Sequence, residues 1–325
     1  MKHILLAASL CVAQVLAADW ATQSIDNPDS PGKAVLITKD GKPVARFVHG
    51  DGQKKPFLHV YGAQGELLTN GGLDKSGKDA GKFPHHRGIY IGWKITRAGG
   101  TYDLWHLHKG EVMTVKSIAP AKVDAQGVTL VATIEWRTGK AAKEDVLLLT
   151  ETRTQRITQD AAGRTQVDFQ TRLEAAVDLA LGGDLQHAGC HFRAHNEVAD
   201  QHAGKTVYLW EPAGKAEGSG KVVSSEFKWS QLRFPIGKNW YTATQYNAPA
   251  NPVEELSWRD YGRFGFFFKR DLKKSESQSL AYRFVIEPSQ APAGGPNKLS
   301  DAQAAAARAQ SNKAHQQFTT ETARP

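Results

Sequence analysis

Short apolar runs rich in β-branched and aromatic residues recur along the chain, each bounded by Gly, Pro, Asp or Asn, at residues 112–119, 128–136, 146–156, 166–173, 206–210, 240–245, 264–268 and 280–286. That punctuation is characteristic of strands. Earlier, Ala34-Val35-Leu36-Ile37 and Val44-Ala45-Arg46-Phe47-Val48 flank Lys39-Asp40-Gly41-Lys42, and an Asp-Gly pair between two apolar runs predicts a hairpin. Phe57-Leu58-His59-Val60-Tyr61 and Glu66-Leu67-Leu68 repeat the pattern around Gly62-Ala63-Gln64-Gly65. Residues 69–82 lose periodicity and read as a loop. So many short strands with no alternating helices predict an all-β fold, a large antiparallel β-sandwich in a single domain over residues 19–287. The lack of a fixed-period repeat weighs against a propeller. Residues 288–325 read as a Pro/Gly/Ala linker, a short C-terminal helix and a tail. Ser300 and Gln303 fit a capping box ahead of residues 304–310, and the tail from Ser311 to Pro325 is expected to be mobile.

The N-terminus departs from this pattern. Met1-Lys2-His3, an apolar run over residues 4–16 and Ala17-Ala18 read as a secretory signal peptide over residues 1–18, too short to span a membrane. Cys11 follows Leu10, where lipoprotein processing needs a small residue, so a lipid anchor is not expected. The expected location is periplasmic or secreted. Cleavage leaves Cys190 as the sole cysteine, so core burial rather than an internal disulfide must hold the fold. Lys and Arg exceed Asp and Glu by 41 to 33, for a net charge of +8. The excess is spread along the chain. It reads first as a solvated basic surface with no particular partner and otherwise suits acidic glycans or an anionic cell surface, and no basic run interleaved with aromatics argues for nucleic acid.

Chemistry concentrates in one stretch. Phe83-Pro84-His85-His86-Arg87-Gly88-Ile89-Tyr90-Ile91-Gly92-Trp93 is answered by Tyr102-Asp103-Leu104-Trp105-His106-Leu107-His108, and together they hold four of the twelve histidines. Alternate residues of a strand share a face. In Cys190-His191-Phe192-Arg193-Ala194-His195 that puts His191, Arg193 and His195 on one side and the apolar residues on the other. A helix stacking His187, His191 and His195 is disfavoured by Gly182, Gly183 and Gly189. The same alternation groups His106 with His108 and sets Asp103 and Trp105 opposite. His85 and His86 cannot both face one way in an extended chain, so one faces the site while the other packs or orients it. Pro84 predicts an extended Phe83, and Gly88 frees the backbone after Arg87.

Imidazoles serve near neutral pH as acid, base or metal ligand, and guanidinium groups stabilise carboxylates or developing oxyanions. The candidate catalytic residues are therefore His85, His86, Arg87, His106, His191 and Arg193. Flat aromatics are core filler or sugar platforms. Trp105 and Trp258, flanked by Asp103 and by Arg259-Asp260, are the platform candidates, and Asp103, His108, His195 and Asp260 complete the expected binding set. Two strand histidines plus a distant one can build a three-histidine metal site with an open position, so a bound divalent metal is an open alternative; no His-Glu-x-x-His motif fixes it. There is no Gly-x-Ser-x-Gly elbow, phosphate-binding loop or dinucleotide fingerprint.

Pro56-Phe57-Leu58-His59-Val60-Tyr61, Pro84-His85-His86-Arg87-Gly88-Ile89-Tyr90-Ile91-Gly92-Trp93 and Asp103-Leu104-Trp105-His106 together resemble a family of exported bacterial proteins labelled PmoA-like or "methane oxygenase", a domain of unknown function. The His-His-Arg-Gly segment is the most specific part. A membrane methane monooxygenase subunit needs several long apolar spans, which the mature sequence lacks. The resemblance implies a large β-sandwich similar to the galactose-mutarotase-like supersandwich and a role near glycoside breakdown.

The sequence thus points to an exported carbohydrate-active protein. The first expectation is an enzyme acting on a glycoside or sugar derivative by hydrolysis, elimination or epimerisation. The alternatives are a non-catalytic glycan-binding or cell-envelope module and a metal-dependent oxygenase or lyase. The expected partner is a carbohydrate or glycoside, with no nucleic acid and no membrane span; oligomeric state is not legible.

Overall fold

The computed structural model describes residues 19–322 apart from 185, 214–220, 225 and 254, so the expected leader and the last three residues lie outside it. Among the described residues every strand pairing is antiparallel. One nine-stranded sheet runs Trp20–Asp26, Lys33–Lys39, Lys42–His49, Phe57–Val60, Ile89–Gly92, Gly189–Arg193, Arg263–Phe267, Glu255–Arg259, Lys221–Val223. A second runs Val207–Glu211, Trp229–Ile236, Asn239–Asn247, Ser277–Ser289, Thr165–Ala175, Leu147–Gln159, Gly127–Arg137, Val112–Ile118, with Lys122–Asp124 beside Gly127–Arg137. A four-stranded sheet of Arg270–Leu272, Leu179–Gly182, Lys94–Arg97 and Gly100–Asp103 stands apart. The fold is the large antiparallel β-sandwich that the alternation predicts, and the Asp40-Gly41 turn closes the expected hairpin with both residues at positive φ.

The core lies between the two large sheets. Phe47, Leu58, Ile89, Ile91, Cys190, Phe192, Phe264 and Phe266 from the first meet Ile134, Ile157, Phe169, Phe234 and Phe284 from the second. Because alternate residues point oppositely, Tyr90, His191, Arg193 and Arg263 are turned to the outer face of the first sheet. Those four positions are nonetheless buried, because loops from both sides cover that face.

The C-terminus corrects the sequence reading. The helix runs Asp301–Thr322, well past residue 310, so the segment expected to be mobile from Ser311 is helical almost to its end. Ser300 caps it as expected, accepting from the Gln303 amide while Gln303 Oε1 accepts from the Ser300 amide. Its few anchors decide the matter. Ala307, Ser311 and Phe318 are buried, Phe318 packs with Trp229, Tyr246 and Ala248 on the outer face of the second sheet, and Asn312 Oδ1 accepts from Trp229 Nε1 at 2.8 Å. A second, short helix, Asn196–Gln201, was not expected, and His195 is its N-cap.

Candidate active site

Two loops and one strand pair build a histidine cluster on the covered face. The hairpin Lys94–Arg97/Gly100–Asp103 delivers the chain to Asp103, after which residues 104–106 turn. The loop over residues 69–88 is pinned from below: Asn70 donates its amide N–H to Arg193 O and its Nδ2 to His86 O at 2.8 Å, while Gly88 N–H donates to Asn70 O. Gly72 sits under the turn, where a Cβ would lie 2.0 Å from Pro84 O.

The rings then meet. His85 lies 4.0 Å from His86, 4.4 Å from His106 and 6.1 Å from His108, centroid to centroid. His106 stacks on His108 at 5.2 Å and reaches His187 at 4.8 Å. Trp105 joins this group to the distant strand, 5.6 Å from His86 and 4.7 Å from His191. The two segments that the sequence could not connect therefore share one site. One nitrogen each of His85, His106 and His108 fall within 4.8 Å of one another.

Several residues take roles different from those expected. Asp103 is not opposite His106: its Oδ2 accepts from His106 Nδ1 at 2.8 Å, and its Oδ1 accepts the backbone N–H of Trp105 and His106. The chain has left strand geometry here, so alternation no longer sorts the faces. His85 and His86 likewise both enter the cluster because Pro84-His85 is a turn, closed by His86 N–H donating to Phe83 O. Phe83 is not extended; it holds φ +57° ahead of Pro84, half-exposed and stacked at 4.2 Å on Tyr261. Trp105 is fully buried and cannot be a platform. Phe83, exposed, and the Tyr261 ring it covers are the aromatic pair nearest solvent beside His86.

His191 has no free nitrogen. Arg263 donates to its Nδ1 at 3.0 Å and its Nε2 donates to Ala188 O at 2.8 Å, so it fixes Arg263 rather than moving protons. Gly265 faces it across the sheet, where a Cβ would sit 2.5 Å from the imidazole Cγ. Arg193 donates to Ala194 O, Tyr261 O and Asn196 Oδ1 and lies 5.1 Å over the Tyr261 ring. Arg87 braces the histidine turn, donating to Pro84 O and to Gln53 Oε1. His195, Trp258 and Asp260 are not brought in: His195 accepts from Glu197 N–H, Trp258 packs on Tyr208 and Trp210, and Asp260 is exposed with its carbonyl held by Thr206. His187, Asp184, Tyr90, Lys55 and Arg263 adjoin the cluster and were absent from the expected set; Tyr90 lies within the singled-out segment itself, Arg263 arrives through strand pairing, and Lys55, Asp184 and His187 come from loops distant in sequence.

Burial sets the electrostatics. It pushes the imidazoles of His85, His86 and His191 far below their usual range, helped for His85 by His106 and for His86 and His191 by Arg263. Burial alone would raise Asp103, but the His106 ring and backbone outweigh it and hold the carboxyl low. Asp184 is likewise held low against burial by His187, whose Nδ1 donates at 2.6 Å. Burial and Arg87 depress the Lys55 amine, which donates to Trp105 O. Both ring nitrogens of His86, Nε2 of His85, Nε1 of Trp105 and the Tyr90 hydroxyl are buried without a hydrogen-bond partner among the described residues. Buried polar groups are rarely left so, and these lie together, with His86 4.0 Å from His85, 5.6 Å from Trp105 and 6.0 Å from Tyr90.

A family model described as "Family of unknown function (DUF6807)" matches residues 34–301, which include both histidine segments and the strand of His191. The chain belongs to this family. No curated protein matches it in sequence. Solved structures similar to it include a 4-alpha-glucanotransferase from Thermococcus litoralis, at 10% identity over 84% of this chain and 40% of that one, with a TM-score of 0.36. A polysaccharide lyase matches at 9% identity over 85% of this chain and 34% of the lyase, with a TM-score of 0.32. An aldose epimerase homologue from C. elegans matches at 11% identity over 84% of this chain and 100% of that one, also at 0.32. This chain thus spans less than half the length of the first two. Among the described residues no helix is long and apolar enough to cross a membrane.

Proposed function

We propose that the protein is an exported enzyme that moves a proton on a carboxylate-bearing sugar, by elimination or epimerisation at the ring carbon beside that carboxylate. The observation carrying this reading is a set of three buried guanidinium groups around the histidines. Arg87, Arg193 and Arg263 are almost fully buried, yet among the described residues their hydrogen bonds go to carbonyl, amide, hydroxyl and imidazole acceptors, and Asp79 attracts Arg87 only through space. Buried charge without a hydrogen-bonded counter-charge is costly, and an anion bound over it relieves that cost.

The neighbours support a sugar as the bearer of that anion. The exposed Phe83 ring, backed by Tyr261, offers a flat apolar face at the surface, and His86 lies 6.1 Å from both rings with two unpartnered nitrogens among the described residues. Hydrolysis is less well served. A two-carboxylate glycosidase needs a protonated carboxyl as acid, whereas Asp103 and Asp184 are each bound to an imidazole and held ionised.

In the reaction, His86 takes the ring hydrogen as a proton and the C–H electron pair moves into the carboxylate as an enediolate. The guanidinium field stabilises that charge. The pair then either expels the neighbouring oxygen substituent, which leaves as the alcohol with the proton returned by the His86 imidazolium and a ring double bond behind it, or is quenched by a proton from solvent water on the opposite face, His86 giving its own proton back to solvent. Export rests on the leader-like N-terminus alone. The test is turnover of uronic-acid glycans beside their carboxyl-reduced forms. The wild type is expected to process only the acidic series, His86→Asn to lose about 10²–10⁴-fold in kcat, and Phe83→Ala to raise KM. Saturable binding with no product would instead make the protein a glycan-binding module, and preference for neutral glycosides would refute the reading.

A further inference from the structure

We propose that His85, His106 and His108 form a three-imidazole site for a divalent metal of the zinc class, with Asp103 as its outer carboxylate. The inference uses the same cluster as the proposed function but does not depend on its chemistry. The three nitrogens already lie within 4.8 Å of one another. A tetrahedral zinc with Zn–N bonds of about 2.0–2.1 Å needs them about 3.4 Å apart. His108 is exposed and free to supply that contraction by rotating.

What surrounds the three rings argues for a ligand set and against a chance grouping. His106 Nδ1 donates to Asp103 Oδ2 at 2.8 Å, which fixes the tautomer and leaves Nε2 as the coordinating atom. A metal-bound histidine commonly shows this arrangement, its second nitrogen held by a carboxylate. Asp103 is itself fixed by the amides of Trp105 and His106. His85 Nε2 is buried without a partner among the described residues. Between His106 and His108, Leu107 holds φ +63° with its side chain in the core, and this anchored left-handed residue keeps the two imidazoles stacked on the solvent side. A non-glycine residue in that region is strained, as is Phe83 two residues before His85, and such strain collects at functional sites. Three neutral imidazoles suit zinc, copper, nickel or iron over magnesium or calcium and leave one coordination position open. That position lies beside the site assigned to the sugar, so the metal would polarise a bound oxygen or hold a water there.

The test is zinc titration of the full chain, free of any polyhistidine tag and stripped by chelator, followed by calorimetry, with cobalt as a spectroscopic probe. One equivalent is expected, with the visible spectrum of four-coordinate cobalt and no response to magnesium. His106→Ala and His108→Ala should each weaken zinc binding at least about 100-fold, and Asp103→Asn about 10–100-fold. His195→Ala, outside the cluster, should bind as the wild type does. His108 is exposed, so its variant retains the fold. No saturable zinc binding, or wild-type affinity in His108→Ala, would overturn the proposal. Because no sugar is present, a failed glycan screen leaves this result standing, and a failed titration leaves proton transfer to be judged on turnover.

Discussion

A residue kept for function at the expense of the fold should show itself by stabilising the protein when it is replaced, and His86 is the sharpest case. Its side chain is buried among Tyr90, Trp105 and Tyr261, and neither ring nitrogen has a protein partner among the described residues. Each buried polar atom left unpaired costs about 1–3 kcal/mol. His86→Leu removes both while keeping an apolar side chain of similar bulk, and the mismatch in shape returns up to about 1.5 kcal/mol. With each atom taken at the low end of its range, about 2 kcal/mol for the pair, the net expectation is a gain of about 0.5–2 kcal/mol. With an m-value of about 3 kcal/mol per M in urea, the unfolding midpoint should rise by roughly 0.2–0.7 M at unchanged m, while activity is lost. Equilibrium urea unfolding followed by fluorescence reads this directly. A midpoint that falls by a similar amount would show that the nitrogens are satisfied in the free protein, and the argument that they await a ligand would fail.

The converse holds at Glu151, whose carboxylate sits in the inter-sheet core and accepts from Trp136 Nε1 at 2.8 Å, Arg153 Nε at 2.7 Å and Thr171 Oγ1 at 2.9 Å. Glu151→Leu should cost about 3–5 kcal/mol in the same assay by leaving Arg153 buried and unpaired, and Arg153→Leu added to it should recover much of that loss. Burial, then Arg46 and His195, depress the imidazole of His59. The native state therefore resists a proton that the unfolded chain takes below about pH 6.5, and His59 should contribute a fall in stability of about 1.4 kcal/mol per pH unit as pH drops below that value; in a pH series of unfolding curves, His59→Gln should lessen the acid limb by about that slope and leave the share of His85, His86 and His191. Phe318→Ala should cost about 3 kcal/mol, because its ring anchors the C-terminal helix on Trp229 and Tyr246; a loss below 1 kcal/mol in thermal unfolding would return the helix to the mobile tail first expected. Gly72→Ala should displace the His85–His86 turn through the 2.0 Å approach to Pro84 O and lower both turnover and zinc affinity.

The sandwich was legible because its signal is local. Alternation and turn residues announce a strand without reference to its partner, and the faces of His191, Arg193 and Cys190 followed from parity alone. The site was legible in part. His85, His86, His106 and His108 stood out as a group, and the structure gathers them, but parity failed wherever the chain turned, at Asp103 and at Phe83-Pro84. Arg263 and His187 were hidden for another reason. Arg263 meets His191 only because strands far apart in sequence are neighbours in the sheet, and His187 comes to His106 only through the order of the four-stranded sheet. The C-terminal helix was cut short in the reading because Ser311, Asn312 and Phe318 carry little apolar periodicity, and their anchoring depends on a sheet face that sequence does not display.

The most direct measurement of the central claim is exchange of the ring hydrogen beside the carboxylate of a uronic-acid glycan for solvent deuterium, followed by NMR in D2O. The account predicts that the wild type removes that hydrogen, either replacing it with deuterium or leaving a ring double bond in its place, that His86→Asn does so at least 100-fold more slowly, and that the carboxyl-reduced glycan keeps its hydrogen. Turnover of the acidic glycan in which that carbon keeps its original hydrogen would contradict it.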